Sequence, residues 1–115
     1  MVKTVLSVSH QGLREWIIQR LSAIYMALYS LGLVGYVLLT PGMSFAEWHG
    51  LFSLTWVKVA TILFIFLMLY HAWIGMWTIF TDYVKPFVVR SVLNTLVLFM
   101  LGACFVWGLM IVWSV

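Results

Sequence analysis

The residues of this chain that can do chemistry are few and concentrated. His71 lies inside a very apolar segment, and the run HAWIGMWTIFTDYVKP (71–86) carries it outward through Thr81, Asp82, Tyr83 and Lys85. On a helix, His71, Gly75, Thr78 and Asp82 are spaced i, i+4, i+7, i+11 and share one face. The rise from His71 to Asp82 is about 16 Å. That face would carry a metal-ligating imidazole at depth, a glycine gap where another backbone can approach, and a carboxylate beside a phenol near water.

Such a face needs a frame, and the composition says what kind. Of 115 residues, 65% are hydrophobic and 8% charged, with a mean hydropathy of +1.13. A soluble domain would carry roughly 25% charged residues. The chain is predicted to be an all-α membrane protein with three transmembrane helices plus short interfacial helices, in a single membrane-anchor domain over 1–115. Seven Trp and five Tyr fit interfacial aromatic belts. The net charge of +3 is small and its basic residues are scattered, which argues against nucleic-acid binding. Cys104 is the only cysteine, so it forms no internal disulfide.

Residues 1–19, with Lys3, His10, Arg14 and Glu15, are too polar to span. Leu13, Trp16 and Ile17 have helical spacing and predict a short helix lying in the interface; the plainer reading is an ordinary lead-in to the first span. Leu21 to Leu39 is uncharged for 19 residues, enough to cross the hydrocarbon core. It lacks the short apolar core and small-residue cleavage site of a secretory signal, so it reads as a retained helix. Ala23, Ala27 and Ser30 form a small-residue stripe for close packing. Arg20, just before this run, reads as an anchor snorkelling to the headgroups.

Thr40-Pro41-Gly42 is a turn, and Ser44-Phe45-Ala46-Glu47 matches a capping box. A short interfacial helix is expected around 45–53, and a second span over about 56–80. His49 falls in the short helix and has no assigned role. Thr81–Lys85 reads as a polar connection, Pro86 as a first helical residue, and 87–113 as the third span. Cys104 and Gly108, four apart, mark a packing face. Lys3, Arg14, Arg20, Lys85 and Arg90 fall on one side and Lys58 on the other. The positive-inside rule then puts the N-terminus and the 81–86 loop in the cytoplasm and the C-terminus outside.

An ionisable group at membrane depth is costly and marks a functional candidate. His71 lies about 10–15 Å below the interface at 1.5 Å per residue. Neutral imidazole is a good haem-iron ligand. With one deep histidine, a bis-histidine haem would need its second ligand from another subunit. The other reading is a histidine hydrogen-bonded across a helix interface. Asp82 and Tyr83 suit a lipid-soluble, proton-accepting substrate, with the phenol donating to a carbonyl. They equally suit a loop carboxylate and an aromatic belt. There is no P-loop, HExxH, nucleophile–base pair or nucleotide fingerprint, and the chain has too few ionisable groups to run catalysis alone.

The segment HAWIGMW (71–77) followed by TDYVKP (81–86) resembles the small hydrophobic anchor subunit of bacterial succinate dehydrogenase, respiratory complex II. The likeness covers all but roughly the first ten residues and is greatest to the type in which two small anchor chains share one haem b. It implies His71 as one axial ligand of haem b, the other coming from the cytochrome b556 subunit. It implies Tyr83 as a hydrogen-bond donor to ubiquinone, Asp82 close by, and Arg20 facing a haem propionate. It further implies flavoprotein and iron–sulfur subunits as partners, and a place in the bacterial inner membrane. The alternatives are a fumarate reductase anchor, or a small membrane assembly or transport subunit without haem.

Overall fold

The computed structural model describes the backbone of residues 2–115 and the side chains of residues 12–115. Four helices follow one another: α1 (Val2–Leu39), α2 (Phe45–Ser53), α3 (Thr55–Tyr83) and α4 (Phe87–Trp113). Three of them are long and apolar enough to cross a membrane: Gly12–Leu39 within α1, then α3 and α4. The central element is α3, with α1 and α4 packed on it and α2 touching it.

The start of α2 follows from its sequence. Gly42 takes φ +73°, a left-handed turn conformation open to glycine without strain. Ser44 then caps the helix. Its Oγ accepts from the Glu47 backbone N–H at 3.2 Å, and the Glu47 carboxylate accepts from the Ser44 backbone N–H at 2.7 Å. The carboxylate's hydrogen bond from the Ser44 backbone N–H, and a second from Ser44 Oγ at 3.1 Å, hold the Glu47 carboxyl below the usual carboxylate range.

Three boundaries differ from the sequence expectation. The predicted separate interfacial helix before residue 20 does not exist, because α1 continues unbroken from Val2. No proline or turn chemistry interrupts it. Leu13, Trp16 and Ile17 do lie exposed, at 55%, 56% and 41%, as an apolar extension of the span. Lys3 and His10 fall outside the described side chains. At the other junction, Thr81, Asp82 and Tyr83 form the last turn of α3 rather than a loop. Polarity there marks the edge of the apolar layer, while Pro86 sets the end of the helix by pushing the residue before it out of the α region. Pro86 itself is the N-cap of α4, with ψ 124°, rather than its first helical residue.

α1 meets α3 through hydroxyls, while Ala27 and Ser30 of the small-residue stripe stay exposed. Tyr25 donates to the Ala60 carbonyl at 2.7 Å. Thr61 gives its proton to the Val57 carbonyl at 2.7 Å, so Tyr29 donates to Thr61 Oγ1, also at 2.7 Å. Such bonds average about 0.6 kcal/mol each in membrane proteins. Between α3 and α4 the close contact is at Gly108, where an added Cβ would lie 3.1 Å from Ile65 Cδ1. Cys104 lines the same α3–α4 groove as Gly108 and Ile65, though its own side chain is exposed. Lys58 Nζ donates to the Val115 carbonyl at 2.7 Å, tying the start of α3 to the end of α4.

Little of the chain is shielded by itself. The buried apolar residues are Val57, Ile74, Phe80 and Val112, joined by polar Ser22, Thr61 and Asn94. Most large apolar side chains face outward, toward lipid or other chains.

Candidate functional site

His71 sits in the middle of α3 and is half-buried. Its Nδ1 lies 2.9 Å from Ser22 Oγ of α1. Ser22 is 1% exposed, the most buried side chain among the described residues, and its hydroxyl donates to the Gln19 carbonyl at 3.0 Å. One ring nitrogen is thus engaged between helices, and the other, Nε2, is left free by that contact. One turn further, an added Cβ at Gly75 would meet nothing within 4 Å. A bare imidazole nitrogen beside an open helix face suits a flat, metal-bearing ligand. Among the described residues no three His, Cys, Asp or Glu side chains come together to hold a metal ion. Among the described residues His71 is thus a single imidazole rather than part of a closed metal site.

The remaining candidates occupy separate places. Arg20 is two residues before Ser22, about 200° around the helix axis, so it projects on a different face. It is exposed, with its guanidinium 5.2 Å from the Trp16 ring centre. Asp82 and Tyr83 end α3, about 18 Å along the axis from His71 to Tyr83. Both are exposed, Tyr83 at 81%. Thr78, on the His71 face by spacing, spends its hydroxyl proton on the Ile74 carbonyl at 2.9 Å. The structure brings His71 and Ser22 together. It holds Asp82 and Tyr83 on exposed surface at the far end of α3, and Arg20 exposed within a turn of Ser22 but on another face of α1. His49 is also exposed, and its carbonyl accepts from Ser53 Oγ at 2.7 Å within α2.

Ser22 is the residue that sequence reasoning missed. A signal was present: Ser22, Tyr25 and Tyr29 are spaced i, i+3, i+7 and form a hydroxyl stripe inside an apolar span. Each now bonds α3. Two further polar atoms, Gln19 Oε1 and Asn94 Oδ1, are buried without a hydrogen-bond partner. Such acceptors are costly in an apolar layer, and nothing in the sequence singled out Gln19.

Comparison with known proteins agrees with this architecture over nearly its whole length. A family described as "Succinate dehydrogenase/Fumarate reductase transmembrane subunit" matches residues 3–111. The succinate dehydrogenase hydrophobic membrane anchor subunit of Coxiella burnetii (strain RSA 493 / Nine Mile phase I) is 43% identical over 105 residues, 91% of this chain and 91% of that protein. With three helices long and apolar enough to span, this multi-pass membrane protein belongs to the succinate dehydrogenase/fumarate reductase transmembrane subunit family.

Proposed function

We propose that the chain is the small anchor subunit of a succinate:ubiquinone oxidoreductase, contributing one axial ligand of a haem b shared with a cytochrome b556 subunit and part of the ubiquinone-reduction site. The observation that carries this reading is the engaged Nδ1 of His71, which leaves Nε2 bare next to the open face at Gly75. These residues fit the group. Bound there, the haem would supply a one-electron carrier within the membrane.

The chain's own residues then have distinct tasks. His71 presents a neutral nitrogen to the iron. Arg20, exposed near the start of the apolar run, pairs its fixed positive charge with a propionate. Tyr83 offers its hydroxyl to a ubiquinone carbonyl at the end of α3, and Asp82 beside it shapes the protonation of that site. The outward apolar faces of the three long helices bind lipid and the cytochrome b556 partner, and their cytoplasmic ends hold the iron–sulfur and flavoprotein subunits on the membrane. The enzyme activity belongs to the complex; this chain alone is non-catalytic.

Orientation in the bacterial inner membrane follows from the basic residues. Arg14, Arg20, Lys85 and Arg90 lie toward one end of the spans and Lys58 toward the other. The N-terminus and the α3–α4 junction are then cytoplasmic. A reporter active only outside the cytoplasm should be active when fused after Val115. A stable but inactive fusion there contradicts this orientation.

The function is tested by purifying the complex through a tag on this chain in mild detergent. The expected companions are a flavoprotein, an iron–sulfur protein and a second small haem-binding membrane protein, with succinate-driven reduction of ubiquinone. Recovery of the intact chain with membrane partners only, and no flavoprotein, would contradict the anchor role.

A further inference from the structure

We propose that Ser22 is a positioning residue for the His71 ligand: its hydroxyl oxygen takes the Nδ1–H hydrogen bond and so keeps Nε2 deprotonated and aimed. This rests on His71 being the axial ligand, as argued above. The geometry begins with a single proton. A serine hydroxyl has one hydrogen to give and can still accept. That hydrogen goes to the Gln19 carbonyl at 3.0 Å. Ser22 Oγ is then an acceptor toward Nδ1 at 2.9 Å, and the ring proton must sit on Nδ1. In a neutral imidazole, Nε2 is left with its lone pair.

The arrangement is a relay of donors and acceptors, Nδ1–H to Oγ–H to the carbonyl, with every proton used. The opposite order, with Ser22 donating to Nδ1, would place a proton on Nε2 and block it as a ligand. Ser22 is 1% exposed, so water does not compete for the bond. The other hydroxyls between α1 and α3 do something different. Tyr25 bonds a backbone carbonyl and Tyr29 bonds a threonine hydroxyl. Only at Ser22 does the contact decide which atom of its partner is free for chemistry. A hydrogen bond from the ligand's second nitrogen also raises its basicity. A more basic ligand favours the oxidised, more positive iron, so the bond lowers the haem reduction potential.

The test compares Ser22→Ala and Ser22→Thr in the assembled complex. Ser22→Ala removes the acceptor and should change the haem oxidised-to-reduced equilibrium by about three- to tenfold toward reduction, a rise of roughly 30–60 mV for one electron. The low-spin ferric resonance should shift with it. Ser22→Thr keeps the hydroxyl and should retain wild-type values for both. An assembled Ser22→Ala complex with unchanged potential and resonance overturns the proposal, and so does a Thr variant displaced as far as the Ala one. If the Ala variant does not assemble, the wild-type complex decides through its histidine proton resonances by electron–nuclear double resonance. An exchangeable Nδ1 proton that is replaced slowly in heavy water supports the buried relay; one replaced at once overturns it. A His71→Ala complex that keeps its low-spin spectrum instead rejects the ligand assignment itself, a separate failure.

Discussion

His71→Ala is expected to convert the low-spin b haem of the assembled complex to a high-spin form, or to lose it. On the proposed assignment the substitution takes away one of two axial nitrogens, and among the described residues no group of three His, Cys, Asp or Glu side chains offers a metal site in its place. Loss of a supporting hydrogen bond alone typically costs 10–100-fold in metal affinity. Loss of the ligand itself should therefore weaken haem retention by more than about 100-fold. The fold should survive. Ser22 still donates to the Gln19 carbonyl, and the Tyr25–Ala60 and Tyr29–Thr61 bonds still join α1 to α3. Optical and paramagnetic spectra of the purified variant complex check this. Quinone reduction should fall less than the haem signal, because Tyr83 stands about 18 Å further along α3.

Tyr83→Phe should lower succinate–ubiquinone activity several-fold while leaving the haem spectrum unchanged. On the proposed role the phenol donates to a carbonyl that gains negative charge as electrons arrive, so it would help more as reduction proceeds than at first binding. Loss of one such hydrogen bond costs about 0.5–1.5 kcal/mol, and more when the acceptor is charged. The ring is kept, and Tyr83 is 81% exposed within this chain, so packing within the chain has little to lose. Reduction of a soluble dye by succinate, which draws on the hydrophilic subunits, should stay near normal. Wild-type quinone turnover and apparent affinity in an assembled Tyr83→Phe complex would leave this residue as a belt aromatic only.

Local chemistry made part of this fold legible in the sequence. Gly42, Ser44 and Glu47 carry the turn and the capping box within a few residues of one another, and α2 starts where they predict. Pro86, followed by a mainly apolar run that carries Arg90, Ser91, Asn94 and Thr95 in its first turns, gives α4 its bounds. The failures have a different origin. A polar residue signals where the apolar layer ends, and Thr81–Tyr83 shows that a helix need not end with it. Leu13, Trp16 and Ile17 gave the correct helical phase, but phase does not say whether a helix is separate or continuous.

The site divides in the same way. His71 could be singled out because an imidazole at membrane depth is expensive. The hydroxyl stripe that holds Ser22 is visible in the sequence, but its pairing with His71 is not, because that contact joins residues 49 apart in the chain and depends on the register of α1 against α3. By spacing the small-residue stripe was also a plausible contact face; the hydroxyl stripe meets α3 because each of its members finds a hydrogen-bond partner there.

The central claim is that this chain gives one imidazole to a haem whose other imidazole comes from a partner. Near-infrared magnetic circular dichroism of the oxidised complex, purified through this chain, reads the axial pair directly. The expected result is a low-spin ferric haem with two imidazole nitrogens, which His71→Ala abolishes. A complex of the same subunits that holds no haem, or whose bis-imidazole signature persists in His71→Ala, contradicts it.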